Sequence, residues 1–308
     1  MRRETICFAW ASDAGSSHFH VKQRFDAVIK QFCPARPRWL AGAAVAVLAV
    51  SVPFATAHAA GPQAAAGFAD HRAVYEMKLA GDAQAVDIAD VRGVMAYEWK
   101  DACDAWVTQQ RIDMIYVTAE GEAEETTNTF SSWEAKNGSL FTFDNGHDRD
   151  GARMECFKGT AQRRAGAAGV VEYVEPARAT LELPREALFP TAHTLEMLKR
   201  AQSGEIVFSS PLFDGSDDSG VTEVNAVIGK ADAETLPPEL AKNPLVGGNA
   251  WRVRLAFFDP ASAESTPDYE MTIVINEQAV VTRLLIDYGE FSVEGRLKSL
   301  EALPKPRC

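Results

Sequence analysis

The chain has 308 residues, of which 46% are hydrophobic and 24% charged, with 43 acidic against 31 basic residues and a formal net charge of −12. This composition is typical of a globular protein whose length suits one large all-β domain or two small domains. An acidic surface repels phosphate backbones and anionic lipid head groups, so a nucleic acid is not an expected partner.

The N-terminal part of the sequence has the pattern of an export signal. Two basic residues, Arg36 and Arg38, precede an apolar segment, 39–55, and Ala57 and Ala59 form an A-x-A cleavage site. A membrane-spanning helix needs about 20 predominantly apolar residues, and Pro53 interrupts this segment. We therefore expect a secretory signal peptide that is cleaved near Ala59 instead of a transmembrane anchor.

Cleavage divides the chain into a leader and one mature domain. We expect residues 1–59 to form an N-terminal extension and signal peptide, and residues 60–308 a single exported β domain. Removing the seven basic and three acidic residues before Ala60 leaves the mature part with a net charge of −16. No second apolar segment of spanning length follows, so an integral membrane protein is not expected. Outside the cytoplasm, cysteines can be oxidised to disulfides.

Alternation of apolar and polar residues predicts strands over most of the mature sequence. In the first of them, residues 72–79, every second residue from Ala73 to Leu79 is apolar, as a half-buried strand requires. Further strands are predicted at 91–99, 106–118, 124–133, 140–143, 153–160, 169–174, 179–183, 205–213, 251–258, 269–275, 279–288 and 290–300.

A single short helix is predicted near 191–203. Leu195, Leu198 and Ala201 follow helical spacing, and Gly204 is a typical helix terminator. Strands at short, regular spacing otherwise dominate, and consecutive strands are joined by tight turns. The sequence therefore predicts an all-β fold, in which many antiparallel strands form a sheet that curls into a barrel or sandwich.

Two polar clusters are candidates for a calcium site or a catalytic site. Residues 144–151 do not place oxygen ligands at the alternate positions of a calcium loop, since Gly146 occupies the third position. A hairpin loop is expected there instead. Residues 214–220 combine Asp and Ser with two glycines, which is typical of a tight turn and not of paired catalytic carboxylates. We expect no metal and no cofactor.

The histidines of the mature sequence form no recognisable catalytic motif. His71, His147 and His193 lack the spacing of a zinc site, and no G-x-S-x-G nucleophile motif occurs. The tryptophans lie within strand patterns, and core packing is the expected role of such side chains. A curled sheet with aromatic interior positions is also able to hold a lipid or a peptide.

Three cysteines remain in the mature part: Cys103, Cys156 and Cys308. Their number predicts one disulfide and one odd thiol, and their spacing excludes a zinc motif. As the last residue, Cys308 is best explained as an anchor for the tail, because free termini fray. Its partner is Cys103 or Cys156, and the residues alone leave this choice open. We expect Cys156 to be a buried, inert thiol and not the nucleophile of a Cys–His pair.

Six short segments resemble one known family in order and spacing. They are 71–75 (HRAVY), 92–98 (RGVMAYE), 103–106 (CDAW), 190–194 (PTAHT), 213–216 (FDGS) and the terminal Cys308. Through most of residues 68–308 the sequence is similar to the cell envelope integrity protein EipB family, which are periplasmic proteins of Gram-negative bacteria.

This resemblance implies a periplasmic β-spiral of antiparallel strands, a disulfide between Cys103 and Cys308, and a role in maintaining the envelope without a known enzymatic activity. Cys156 is not part of the pattern. We therefore expect a non-enzymatic protein that supports envelope integrity by binding a protein or lipid partner. The alternatives are a lipid or lipoprotein carrier with a half-barrel cavity, and a hydrolase of envelope polymers.

Three structural outcomes separate these functions. A wide apolar cavity favours the carrier, and a cleft with convergent Asp, Glu or His side chains favours the hydrolase. A filled core with an exposed edge favours a scaffold.

Overall fold

The computed structural model describes residues 68–81, 87–164, 167–232, 235–260, 262 and 265–308. The predicted signal peptide, with Ala57 and Ala59, lies outside the described residues. Neither α-helix in the part of the chain that the structure describes has the length and apolar character needed to span a bilayer.

Fourteen strands of the described chain form one antiparallel sheet. The first eight are β1 (His71–Leu79), β2 (Ile88–Asp101), β3 (Ala105–Thr118), β4 (Ala123–Ala135), β5 (Leu140–Arg149), β6 (Ala152–Arg163), β7 (Gly169–Glu175) and β8 (Ala179–Leu183). The remaining six are β9 (Val207–Leu212), β10 (Thr222–Lys230), β11 (Ala250–Phe258), β12 (Tyr269–Asn276), β13 (Val281–Asp287) and β14 (Ser292–Ala302).

The two halves of the chain meet in the middle of the sheet. Strand β1 pairs with β2 on one side and with β14 on the other, so β2–β8 extend one way and β14–β9 the other. The edge strands β8 and β9 do not pair with each other, and the sheet is unclosed. Leu188 nevertheless forms a bridge to Leu212, with Leu188 N donating to Pro211 O at 2.8 Å. The prediction of a curled, many-stranded antiparallel sheet is confirmed.

Helix α1 (Pro190–Ser203) links the two edges of the sheet. Proline at its first position suits a helix start, because the N–H it lacks has no intrahelical partner there. Gly204 ends the helix with a φ of 85°, and its N–H points to the Ala201 and Arg200 carbonyls. The predicted helix is thus confirmed almost to the residue. Helix α2 (Pro238–Ala241) and a 3₁₀ turn (Pro244–Val246) follow later in the chain.

The hydrophobic core has two parts. The larger part joins β1, β2 and β10–β14 to the inner face of α1, where Met197 and Leu198 are buried. The smaller part is mainly aromatic and includes Phe141, which stacks on Phe189 with ring centroids 4.9 Å apart. Alternate residues of β1 from His71 to Met77 are buried, as the sequence pattern predicts.

One expectation about local structure was wrong, and one strand was not predicted. Residues 144–149 were expected in a hairpin loop, but they continue β5, and only Asp150 and Gly151 form the turn. Their polar side chains are accommodated because the partner strand, β4, is itself polar and threonine-rich. Strand β10 was not predicted at all, although its buried face alternates through Val224, Ala226 and Ile228.

Candidate functional site

A cavity of about 400 Å³ lies between the start of α1 and the curled sheet. Strands β1–β5 contribute one part of its lining, and α1, β9 and β11 contribute another. Residues from opposite ends of the sheet therefore meet here only because the sheet curls. The volume lies within the range of about 300–1,000 Å³ that is typical of small-molecule sites.

His193 is a buried polar residue in the lining of this cavity. The residue is 6% exposed, and its Nε2 atom has no hydrogen-bond partner among the described residues. The ring lies 5.2 Å from that of Phe208, measured between centroids. Burial lowers the pKa of His193 to about 4, so the imidazole is neutral at neutral pH. A buried ring nitrogen without a partner is costly in a folded protein, and because this atom is shielded from solvent it does not itself face the open space of the cavity.

Two further titratable side chains, His71 and Asp214, line the same cavity. The His71 Nδ1 atom lies 2.7 Å from the Ala69 carbonyl oxygen, and burial lowers the pKa of this histidine. Asp214 is half-buried, and its Oδ1 atom accepts a hydrogen bond from Ser216 N at 2.9 Å. Burial raises the pKa of Asp214. The environment of the cavity thus favours the uncharged form of all three groups.

The start of α1 is fixed by a carboxyl group from a distant strand. Glu134 of β4 is 2% exposed and accepts hydrogen bonds from Thr191 N and Ala192 N, both at 2.8 Å. These N–H groups have no intrahelical acceptor, and the N-cap residue Phe189 provides no side-chain cap. Burial raises the pKa of Glu134 to about 7, against the opposing effect of the two N–H donors and of Arg163. Glu134 therefore holds the helix, and with it His193, against β4.

The structure joins Cys103 and Cys308, the pairing that the family resemblance implies. Their sulfur atoms are 2.11 Å apart, their Cα atoms are 5.7 Å apart, and 205 positions separate them in sequence. Cys103 lies between β2 and β3, where its N–H donates to Asp101 Oδ1 at 2.7 Å. Cys156 is buried on β6 and is not part of this disulfide.

The structure brings two of the three sequence-identified histidines together. His71 and His193 line the cavity, whereas His147 hydrogen-bonds to Asn128 Oδ1 at 2.8 Å and is not a lining residue. Trp99 also lines the cavity and stacks on Trp106, with ring centroids 4.7 Å apart.

The two polar clusters have local roles. In the turn 214–220, Asp217 Oδ1 accepts hydrogen bonds from the backbone and hydroxyl groups of Ser219. Asp214 is the member of this cluster that reaches the cavity. Across the described ranges, no group of three or more His, Cys, Asp or Glu residues is arranged to hold a metal ion.

Sequence reasoning missed Glu134 and the convergence of His71, His193 and Asp214. The residues that donate to Glu134 lie 57 and 58 positions away in sequence, so no local pattern predicts these hydrogen bonds. The available signal was the family resemblance. Each of the three converging residues lies in one of its segments, 71–75, 190–194 and 213–216.

Comparison with known proteins identifies the family. Residues 62–304 match the EipB-like family. The cell envelope integrity protein EipB of Brucella abortus (strain 2308) is 27% identical over 248 residues, which cover 80% of this chain and 88% of that protein. A crystal structure of a beta-barrel-like protein of unknown function from Brucella abortus superposes with a TM-score of 0.70 at 25% identity, covering 77% of this chain and 99% of that one. These matches confirm the resemblance, and the chain belongs to the EipB-like family.

Proposed function

We propose that this protein is a non-enzymatic periplasmic protein that supports the integrity of the cell envelope by binding an envelope component in its cavity. The printed name of the Brucella relative supports the envelope role. The signal pattern over residues 36–59 supports export. The disulfide between Cys103 and Cys308 fits an oxidising compartment.

The observation that carries the binding role is the cavity of about 400 Å³, whose lining combines apolar side chains with the polar residues His71, His193 and Asp214. A filled core would instead favour a scaffold. Apolar side chains from β2, β4 and β11 line the same space as His193. Mostly apolar walls with a few placed polar groups are the common features of ligand sites.

A hydrolase is less well supported by this arrangement. Nucleophilic catalysis needs a base that is hydrogen-bonded to a nucleophile and oriented by a third group. His193 Nε2 has no partner in the described chain, and the Nδ1 atom of His71 faces a backbone carbonyl. Asp214 hydrogen-bonds to a residue of its own turn. These contacts favour binding over acyl transfer.

Two measurements test the proposed function. The full-length gene is expressed in a Gram-negative host, the protein is purified from the periplasm, and extracted small molecules are identified by mass spectrometry. In the source organism, the gene is deleted and complemented with wild type or with His193→Leu, and sensitivity to detergent is measured. We expect a co-purifying envelope component and weaker complementation by the variant. A cytosolic, uncleaved protein, or an unchanged envelope after deletion, would overturn the proposal.

A further inference from the structure

We propose that the cavity binds an organic cation, with a quaternary ammonium group beside the rings of Phe130 and Phe257 and the carboxylate of Asp214 as its counter-ion. This inference deepens the proposed function and rests on it, because it names the chemical class of the ligand. Choline is a simple member of this class and serves as the probe.

The lining of the cavity carries a negative charge without a positive one to balance it. Asp214 is the only acidic residue among the described residues that line the cavity, and none of them is a lysine or an arginine. No ion pair within the described chain includes Asp214. Asp217 and Asp218 follow in the same turn and are exposed. A cation is therefore the electrostatic complement of this space.

The carboxyl group of Asp214 lies in an environment that a bound cation would improve. Burial, and to a smaller extent the charge of Asp217, raises the pKa of Asp214, whereas the N–H of Ser216, which donates to Oδ1 at 2.9 Å, opposes this rise. A partly buried carboxylate without a counter-charge is costly, and a cation in the cavity would stabilise its ionised form. An anionic ligand would add a second negative charge to the same space.

Aromatic rings from both halves of the sheet lie near Asp214. Phe130 of β4 is directly opposite Asn145 of β5, whose Nδ2 atom donates to the backbone of the turn that carries Asp214, at 3.2 Å. Phe257 of β11 stacks on Tyr269, with ring centroids 4.3 Å apart. Burial, and next the charge of Asp214, raises the pKa of Tyr269. Phe130 and Phe257 both line the cavity, so the carboxylate and the two rings share one space.

This combination of rings and a carboxylate suits a quaternary ammonium group. The face of an aromatic ring is negative and attracts a cation, most strongly where water is excluded. A primary ammonium brings three N–H donors that need acceptors, whereas a quaternary ammonium has no N–H and presents methyl groups to apolar walls. Phe68, Tyr97 and Trp99 continue the aromatic lining and offer a surface to the rest of the ligand.

The test compares choline with two molecules that differ from it in charge. Dimethylbutanol has the shape of choline, but a carbon atom replaces the nitrogen and removes the charge. Phosphocholine keeps the ammonium group and adds a phosphate. Binding to the protein purified from the periplasm and stripped of small molecules is measured by calorimetry. We expect choline to bind at least about tenfold more tightly than dimethylbutanol, and more tightly than phosphocholine. Equal affinities for choline and dimethylbutanol, or no saturable binding of choline, overturn the proposal.

Substitutions separate the local charge from the general field of the protein. Asp214→Asn removes the charge with little change in size and should weaken choline binding about tenfold, without affecting dimethylbutanol. Asp218→Asn is the matched control, because it removes the same charge from an exposed position of the same turn that is not in the lining, and it should retain the wild-type affinity. Equal losses in the two variants overturn the role of Asp214.

Phe257→Leu tests the aromatic contact in the same way. It keeps an apolar wall but removes the ring, so choline should bind more weakly while dimethylbutanol is unaffected. Wild-type affinity for choline in this variant overturns the contact with Phe257. If a variant does not fold, the comparison of choline with dimethylbutanol on the wild type still decides.

The outcome is separable from that of the proposed function. If none of the probes binds but another envelope component co-purifies with the protein, this inference is wrong and the proposed function stands. If deletion of the gene leaves the envelope unchanged while choline binds selectively, the proposed function fails and the cavity chemistry stands.

Discussion

Replacing Cys103 with serine should lower the stability of the oxidised protein more than most single substitutions do. The disulfide to Cys308 spans 205 positions, which is most of the range 68–308. Closing a loop of this length restricts the unfolded chain, and the chain-entropy model assigns about 5 kcal/mol to that restriction. The net stability of a domain is typically only about 5–15 kcal/mol.

The loss should act mainly through the unfolded state. The tail would still lie beside β1 in the variant, because Leu303 N donates to Asp70 O at 2.8 Å. For a domain of about 150–250 residues, each kcal/mol shifts the midpoint of thermal unfolding by about 2–4 °C. Cys103→Ser should therefore melt at least about 10 °C below the oxidised wild type.

Thermal unfolding followed by circular dichroism, with and without reductant, is the assay. Cys156→Ser is the matched control, since it also replaces a cysteine but leaves the disulfide intact. Reductant should lower the melting point of the wild type and of the control, and should leave Cys103→Ser unchanged. A Cys103→Ser variant that melts with the oxidised wild type would refute the assignment of this bond.

Two further predictions follow from individual contacts, and a third follows from the signal pattern. Because burial raises the pKa of Glu134 from 4.5 to about 7, its stabilising effect is fully present below pH 4.5 and is lost as the pH rises through 7. We therefore expect the free energy of unfolding of Glu134→Gln, measured in urea relative to the wild type, to be about 3 kcal/mol higher at pH 8 than at pH 4.5. A relative free energy that does not change with pH would contradict this. Gly215→Ala should cost about 1–3 kcal/mol, since the new methyl group would overlap the Phe143 ring. Gly289→Ala, also at positive φ but with open space around it, should cost less, and equal losses would exclude the clash. N-terminal sequencing of the periplasmic protein should begin near Ala60, and an intact leader would refute export.

Local patterns predicted the elements that depend on local contacts. The alternation in residues 72–79 and the helical spacing of 191–203 gave β1 and α1 to within one residue. Both patterns exist because each element buries one face, and that requirement appears in its own sequence. Strand β10 has the same alternation, in Val224, Ala226 and Ile228. The sequence therefore contains the information needed to predict this strand.

The cavity depended on long-range geometry. Glu134 is a charged residue in a strand, a type that usually lies on the solvated face, and nothing near it shows that it meets the start of α1. The convergence of His71, His193 and Asp214 depends on the curl that carries β9 and α1 back towards β1–β5. Periodicity predicts that a sheet curls, but it does not show which side chains then face each other.

The structure of the protein purified from the periplasm, with its co-purifying molecules retained, tests the account most directly. The account predicts that the bound envelope component lies in the cavity beside Trp99 and Phe257. A ligand bound on the outer face of the sheet, with the cavity unoccupied, would contradict it.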